Sequence, residues 1–197
     1  MTTFVESGMT FTFPDNDCFV IEKDKVVISG NCVKSCECVV RINPRGRDRY
    51  AFIEAKSSAP REKICDRNKL LYDGDPIDES WSIWTNFDRF IDDICLKFED
   101  SYMVYRAMMD GCHGREARAR IPSGCRDATN GNVMFVLIVN GFQEDWCQPL
   151  NDAIKKRLRH FLSSWNIPDI AVKTLNRNGA ADVGIPVKSE SEMPLEM

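Results

Sequence analysis

The chain has 197 residues, 43% of them hydrophobic and 28% charged, and a formal net charge of −4. That length supports one sizeable core in a single globular domain, and the composition excludes a disordered or fibrous chain. No apolar run is long enough for a membrane span, and the acidic balance argues against nucleic-acid binding over the whole surface.

The N-terminus, Met1-Thr2-Thr3-Phe4-Val5-Glu6, has no basic region followed by an apolar one. It therefore predicts no signal peptide and a cytoplasmic protein without membrane contact. Met9-Thr10-Phe11-Thr12-Phe13 alternates as an edge strand or a partner-docking segment would. Pro14-Asp15-Asn16-Asp17 is a turn. Residues 18–28 are mostly apolar around Glu22-Lys23-Asp24-Lys25 and fit one long strand, or two short ones joined at Lys23-Asp24. Ser29-Gly30-Asn31-Cys32 turns the chain again.

Cys36-Glu37-Cys38-Val39-Val40-Arg41-Ile42 and Tyr50-Ala51-Phe52-Ile53-Glu54-Ala55-Lys56 are rich in β-branched and aromatic residues, as strands are. Between them Asn43-Pro44-Arg45-Gly46-Arg47-Asp48-Arg49 breaks regular structure and makes a hairpin. Centred between Arg45 and Gly46, paired residue numbers sum to 91, which sets Glu37 opposite Glu54. If residues 18–28 are one strand, Asp24 joins the same row. If Lys23-Asp24 is a turn, it does not.

Residues 57–84 are polar and irregular, with Arg61 and Lys63 as candidate substrate contacts. Trp81 and Trp84 either cap the core or form a docking surface. Residues 86–109 form the longest predicted helix, because Phe87, Phe90, Ile91, Ile94, Phe98, Tyr102 and Tyr105 recur at helical spacing. Residues 111–131 read as a loop with a basic middle. Val133 to Val139 is continuously apolar, as a strand covered on both faces is. Residues 150–165 form an amphipathic helix, and residues 169–175 a last short strand. From Asn176 the composition turns to Gly, Pro, Ser and Glu. A single domain over residues 1–178 and a disordered acidic tail over residues 179–197 are expected. The order β-β-β-α-β-α-β predicts an α/β fold whose mixed central sheet begins as a β-meander.

The chemistry concentrates on the hairpin. Strand periodicity sets Phe52, Glu54 and Lys56 on one face. Two facing carboxylates repel unless something compensates, and carboxylate oxygens suit Mg²⁺ or Mn²⁺. An acid on one strand, a hairpin, and Glu-x-Lys on the next strand resemble the PD-(D/E)XK nuclease superfamily. Glu37 matches its first acid, usually Asp, and Glu54 and Lys56 match its E-x-K. The resemblance implies a restriction-endonuclease-like core in which Glu37 and Glu54 hold the metal and Lys56 positions or activates water. It implies a Mg²⁺-dependent endonuclease acting on DNA, with a homodimer or a protein partner among its possible assemblies. The family's first helix usually carries a further acid. Here Glu6 is the only early candidate, which leaves an inactive, partner-binding member of the fold as the alternative.

The nine cysteines are an odd number, and reduced thiols are expected. Cys32, Cys36 and Cys38, or Cys112-His113 with Cys125, are the candidate zinc groups, without paired C-x-x-C spacing. Cys36 and Cys38 are expected on one strand face. Arg106, Arg115, Arg118, Arg120 and Arg126, and Lys155, Lys156, Arg157, Arg159 and His160, are two basic clusters that fit either phosphates or a solvated face.

Overall fold

A computed structural model describes residues 1–29, 33–60 and 77–189, with the backbone alone described at residues 28, 29, 45 and 77–86. The chain forms two sheets and five α-helices among these residues. Strands β3 (Cys18–Phe19), β4 (Cys38–Ile42), β5 (Arg49–Lys56), β6 (Val133–Val139) and β7 (Val172–Asn176) lie side by side in chain order. The first three form an antiparallel meander, and β6 and β7 run parallel to β5. A parallel step needs a crossover. Helix α2 (Ile77–Met109) supplies the one from β5 to β6, and α4 (Glu144–Ser164) the one from β6 to β7. This is the α/β fold with a mixed central sheet that the order of elements predicts.

Residue parity divides the core in two. On one face Val39, Tyr50, Phe52, Phe135 and Leu137 pack against the apolar stripes of α2 and α4. Phe52 is the hub, with ring centroids 5.7 Å from Tyr102, 5.6 Å from Tyr105 and 5.5 Å from Phe135. On the other face Cys38, Val40, Ala51, Ile53, Val136 and Ile138 meet a small antiparallel sheet. That sheet has the order β1 (Thr2–Glu6), β2 (Met9–Phe13) and β8 (Val187–Ser189). Met9–Phe13 is therefore its central strand and not an edge.

Several boundaries differ from expectation. Residues 18–28 form neither one strand nor two. After β3 the chain makes a 3₁₀ turn and a short helix, α1 (Lys25–Ser29). The cause is Asp24, whose Oδ1 accepts the Val26 N–H at 2.8 Å and caps that helix. Helix α2 begins nine residues before residue 86, so residues 77–84 are helical and not irregular. Helix α4 begins at Glu144 and runs through Pro149, with Glu144 and Asp145 favouring its positive end. The basic loop over residues 111–131 contains a helix, α3 (Arg115–Arg120). Residues 179–189 are folded and not a tail. Helix α5 (Arg177–Asp182) starts where Asn176 Oδ1 accepts the Gly179 N–H at 2.8 Å, and Ala180 and Ile185 are buried ahead of β8. The rest of the expected tail, residues 190–197, lies outside the described residues, as do Arg61, Lys63 and the side chains of Trp81 and Trp84.

Candidate active site

The hairpin has the register that its turn predicts. Cys38 pairs with Ile53, Val39 with Phe52 and Ile42 with Arg49, each pair summing to 91. The ladder stops at Cys38. Glu37, one residue beyond, donates its N–H to the Ile53 carbonyl at 2.9 Å instead of continuing the alternation. This irregularity separates Cys36 from Cys38. Cys36 sits in the helix-side core and Cys38 in the opposite one, so the expected shared face is lost.

Helix α2 sets the segment before Glu37. The Cys36 N–H donates to Ser101 Oγ at 2.7 Å, and the Lys34 N–H to Asp100 Oδ2 at 2.9 Å. The Lys34 ammonium pairs with Asp93 two turns back. The hairpin of β1 and β2 is fastened to the far end of β5. Ser7 Oγ donates to the Ala55 carbonyl at 3.0 Å. Asn140 donates its backbone N–H to the Lys56 carbonyl at 2.8 Å and its side-chain amide to the Ser7 carbonyl at 3.1 Å. Ser7 and Gly8 both take positive φ, at 55° and 72°, to make this tight turn. Glu6 precedes it directly.

Glu54 is fully buried, at 0% exposure, and Glu37 is 6% exposed. One Glu54 oxygen, Oε1, receives two ammonium groups: Lys56 Nζ at 2.8 Å and Lys97 Nζ, from α2, at 2.7 Å. The other oxygen, Oε2, is buried without a hydrogen-bond partner. Burial pushes the Glu54 pKa up and the two lysines pull against it, leaving it above the ordinary value. Burial works against the charge of Lys97, yet Glu54 holds that ammonium above its ordinary value. Two ammonium nitrogens on one oxygen mark that oxygen as part of a carboxylate.

Glu37 behaves differently. Burial, then the charges of Glu54, Glu22 and Glu6, push its carboxyl up to about 9. Three acids thus converge electrostatically on Glu37. Among the described residues no three His, Cys, Asp or Glu side chains are drawn together as a ligand set. A Mg²⁺-type ion does not require three, since it keeps several waters and takes one or two carboxylates. A buried carboxylate oxygen without a partner, beside a second acid under repulsion, fits such an ion.

The hairpin brings Glu54 and Lys56 together, whereas Glu37 lies beyond its last pair. The expected Glu37–Glu54 pair on the ladder is therefore not formed, and the two acids are linked only through the charge of Glu54 felt at Glu37. Asp24 does not join them. It is held by Arg120, with Nε at 2.8 Å from Oδ2 and Nη2 at 3.1 Å from Oδ1. The candidate zinc groups are also dispersed: Cys112 is exposed, Cys125 is buried, and Cys32 lies outside the described residues. Of the first basic cluster, Arg106 pairs with Asp110, Arg120 with Asp24, and Arg126 donates to the Ile121 and Ala119 carbonyls. In the second, Arg157 pairs with Asp92, and Lys156, Arg159 and His160 are solvated.

Sequence reasoning missed Lys97, Ser101 and Glu22. The first two carry a signal. Lys97 and Ser101 fall at Ile94+3 and Ile94+7, inside the apolar stripe of α2. A charge on the buried arc of a helix needs a partner across the interface. No helix among the described residues is long and apolar enough to cross a membrane. No family model, curated protein or solved structure matches the chain.

Proposed function

We propose that this chain is a metal-dependent nuclease hydrolysing phosphodiester bonds in DNA, with a restriction-endonuclease-like site of the PD-(D/E)XK kind at Glu37, Glu54 and Lys56. The observation that carries the reading is Glu54: a buried carboxylate with one oxygen on the lysine two residues away and the other without a partner, beside an acid at the start of the neighbouring strand. An antiparallel meander followed by a helix and a parallel strand is the setting that motif requires. The odd number of cysteines supports the reading of a reducing, cytoplasmic compartment.

Glu37 and Glu54 would hold Mg²⁺ or Mn²⁺, which when bound polarises a phosphoryl oxygen and lowers the pKa of a coordinated water. Lys56, more exposed than Lys97 at 28% against 16%, presents its ammonium to water and to charge developing on the phosphate. Lys34, Arg89, Phe90, Asp92, Asp93 and Leu96 are among the residues lining an open cleft of about 650 Å³ along the middle of α2. Its two cations, Lys34 and Arg89, stand among two acids, and Lys34 is already paired with Asp93, so Arg89 is the candidate for a phosphate backbone. One domain offers one such site, so cutting both strands takes a dimer or two successive nicks.

The test is cleavage of a mixed DNA substrate with Mg²⁺ by wild type and by Lys56→Ala. Cleavage by wild type and its loss in the variant are expected. No cleavage by either, or equal cleavage by both, refutes the assignment. One observation favours a second reading, an inactive nuclease-fold subunit that binds a partner protein: Lys56 and Lys97 together already neutralise Glu54 without a metal. Calorimetric titration with Mn²⁺ separates the readings. A bound ion that disappears in Glu54→Gln excludes the inactive one.

A further inference from the structure

Resting on that reading, we propose that Lys97 is an internal counter-ion that occupies Glu54 until a divalent cation arrives, and that the cation and the Lys97 ammonium compete for this carboxylate. The geometry poses the problem. Lys56 and Lys97 crowd one oxygen, at 2.8 and 2.7 Å, while Oε2 of the same carboxylate is buried and bare. A divalent ion on Oε2 would lie within a few ångströms of two ammonium groups, where like charges repel strongly. One of the two has to leave or the ion binds poorly.

The structure distinguishes the two lysines. Lys56 sits two residues from Glu54 on the same strand face, so its ammonium is tethered beside that carboxylate. Lys97 reaches across from α2, and its own helix offers another seat. Asp93 is four residues back, on the same side of the helix, and already contributes to holding the Lys97 charge, so Lys97 would share this carboxylate with the Lys34 ammonium. Asp93 also lines the cleft proposed for the DNA backbone. Rotation of the Lys97 side chain therefore moves a positive charge from the metal carboxylate toward the substrate side. Without metal, the same lysine joins Lys56 in compensating the buried anion at Glu54. Lys97 is thus a positioning residue, exchanging places with the ion.

The test uses the full chain. Wild type and Lys97→Met are titrated with Mn²⁺ by calorimetry, and wild type is footprinted with an amine-acylating reagent in chelator and in Mn²⁺, with mass-spectrometric readout. Competition predicts that Mn²⁺ binds Lys97→Met at least about tenfold more tightly. It also predicts that Lys97 acylation rises several-fold when Mn²⁺ is added, while acylation of Lys156, exposed on α4, stays constant. Equal or weaker Mn²⁺ binding by Lys97→Met overturns the proposal. If that variant does not fold, the wild-type footprint decides alone, and unchanged Lys97 acylation overturns it. Mn²⁺ binding with unaltered Lys97 refutes this inference only. Absence of any Mn²⁺ binding by wild type refutes the nuclease reading as well.

Discussion

Replacing Glu37 with Gln removes one charge and keeps the shape of the side chain. In the folded protein, burial and the charges of Glu54, Glu22 and Glu6 raise the Glu37 carboxyl from 4.5 to about 9. The sign follows from proton counting. Between those values the folded chain keeps a proton that the unfolded chain has lost, so stability falls as pH rises through this window. Each pH unit is worth about 1.4 kcal/mol, which gives about 3 kcal/mol between the ordinary carboxyl value and pH 7. Glu22 is exposed and its charge is screened by solvent, which lowers the expected figure to about 1–3 kcal/mol. For a chain of 197 residues this is roughly 2–12 °C in Tm. Thermal melts in chelator at pH 5, 7 and 8.5 should show Glu37→Gln above wild type by an increment that grows with pH. In millimolar Mn²⁺ the order should reverse, because the wild type gains binding free energy that the variant lacks. Melting curves that shift in parallel at every pH and in both buffers would show that Glu37 does not feel the other acids and shares no metal with Glu54.

Phe52→Ala empties the hub of the helix-side core, where Phe52 is 0% exposed among Tyr102, Tyr105 and Phe135. A loss of about 3–5 kcal/mol is expected in urea unfolding, and a loss under about 1 kcal/mol would contradict the packing of α2 on β5 described above. Asp24→Ala removes the cap of α1 and leaves Arg120 without its carboxylate, for about 1–3 kcal/mol of stability. Burial acts to raise the Asp24 pKa, but its bonds to Arg120 and Val26 leave it lowered. Its contribution is therefore present above the ordinary Asp value and lost as pH falls through the folded one, so the two proteins should converge in acid. Mn²⁺ binding should be unchanged in Asp24→Ala, and a weakened affinity would place Asp24 in the acid cluster after all.

The parts of the fold that local patterns govern were legible. The hairpin register follows from the position of Pro44 and Gly46 in the turn, and α2 follows from the spacing of Phe87 through Tyr105. Glu54 and Lys56 share a face because strand periodicity demands it, and the structure joins them at 2.8 Å. What was not legible depends on contacts distant in sequence. Lys97 reaches Glu54 across 43 residues, and Arg120 claims Asp24 across 96. Composition misled at residues 179–189, where the burial of Ala180 and Ile185 and the pairing of β8 with β2 outweigh a Gly- and Pro-rich sequence. The apolar run at residues 18–28 misled for a local reason: Asp24 in its centre is a better helix cap than a strand residue.

The most direct test of the central claim is the location of Mn²⁺ in crystals soaked in the ion, by anomalous scattering. The nuclease account predicts a peak within about 2.0–2.3 Å of carboxylate oxygens of both Glu37 and Glu54, with waters completing the coordination. No peak between these carboxylates at millimolar Mn²⁺, with Lys97 still on Glu54, would contradict it.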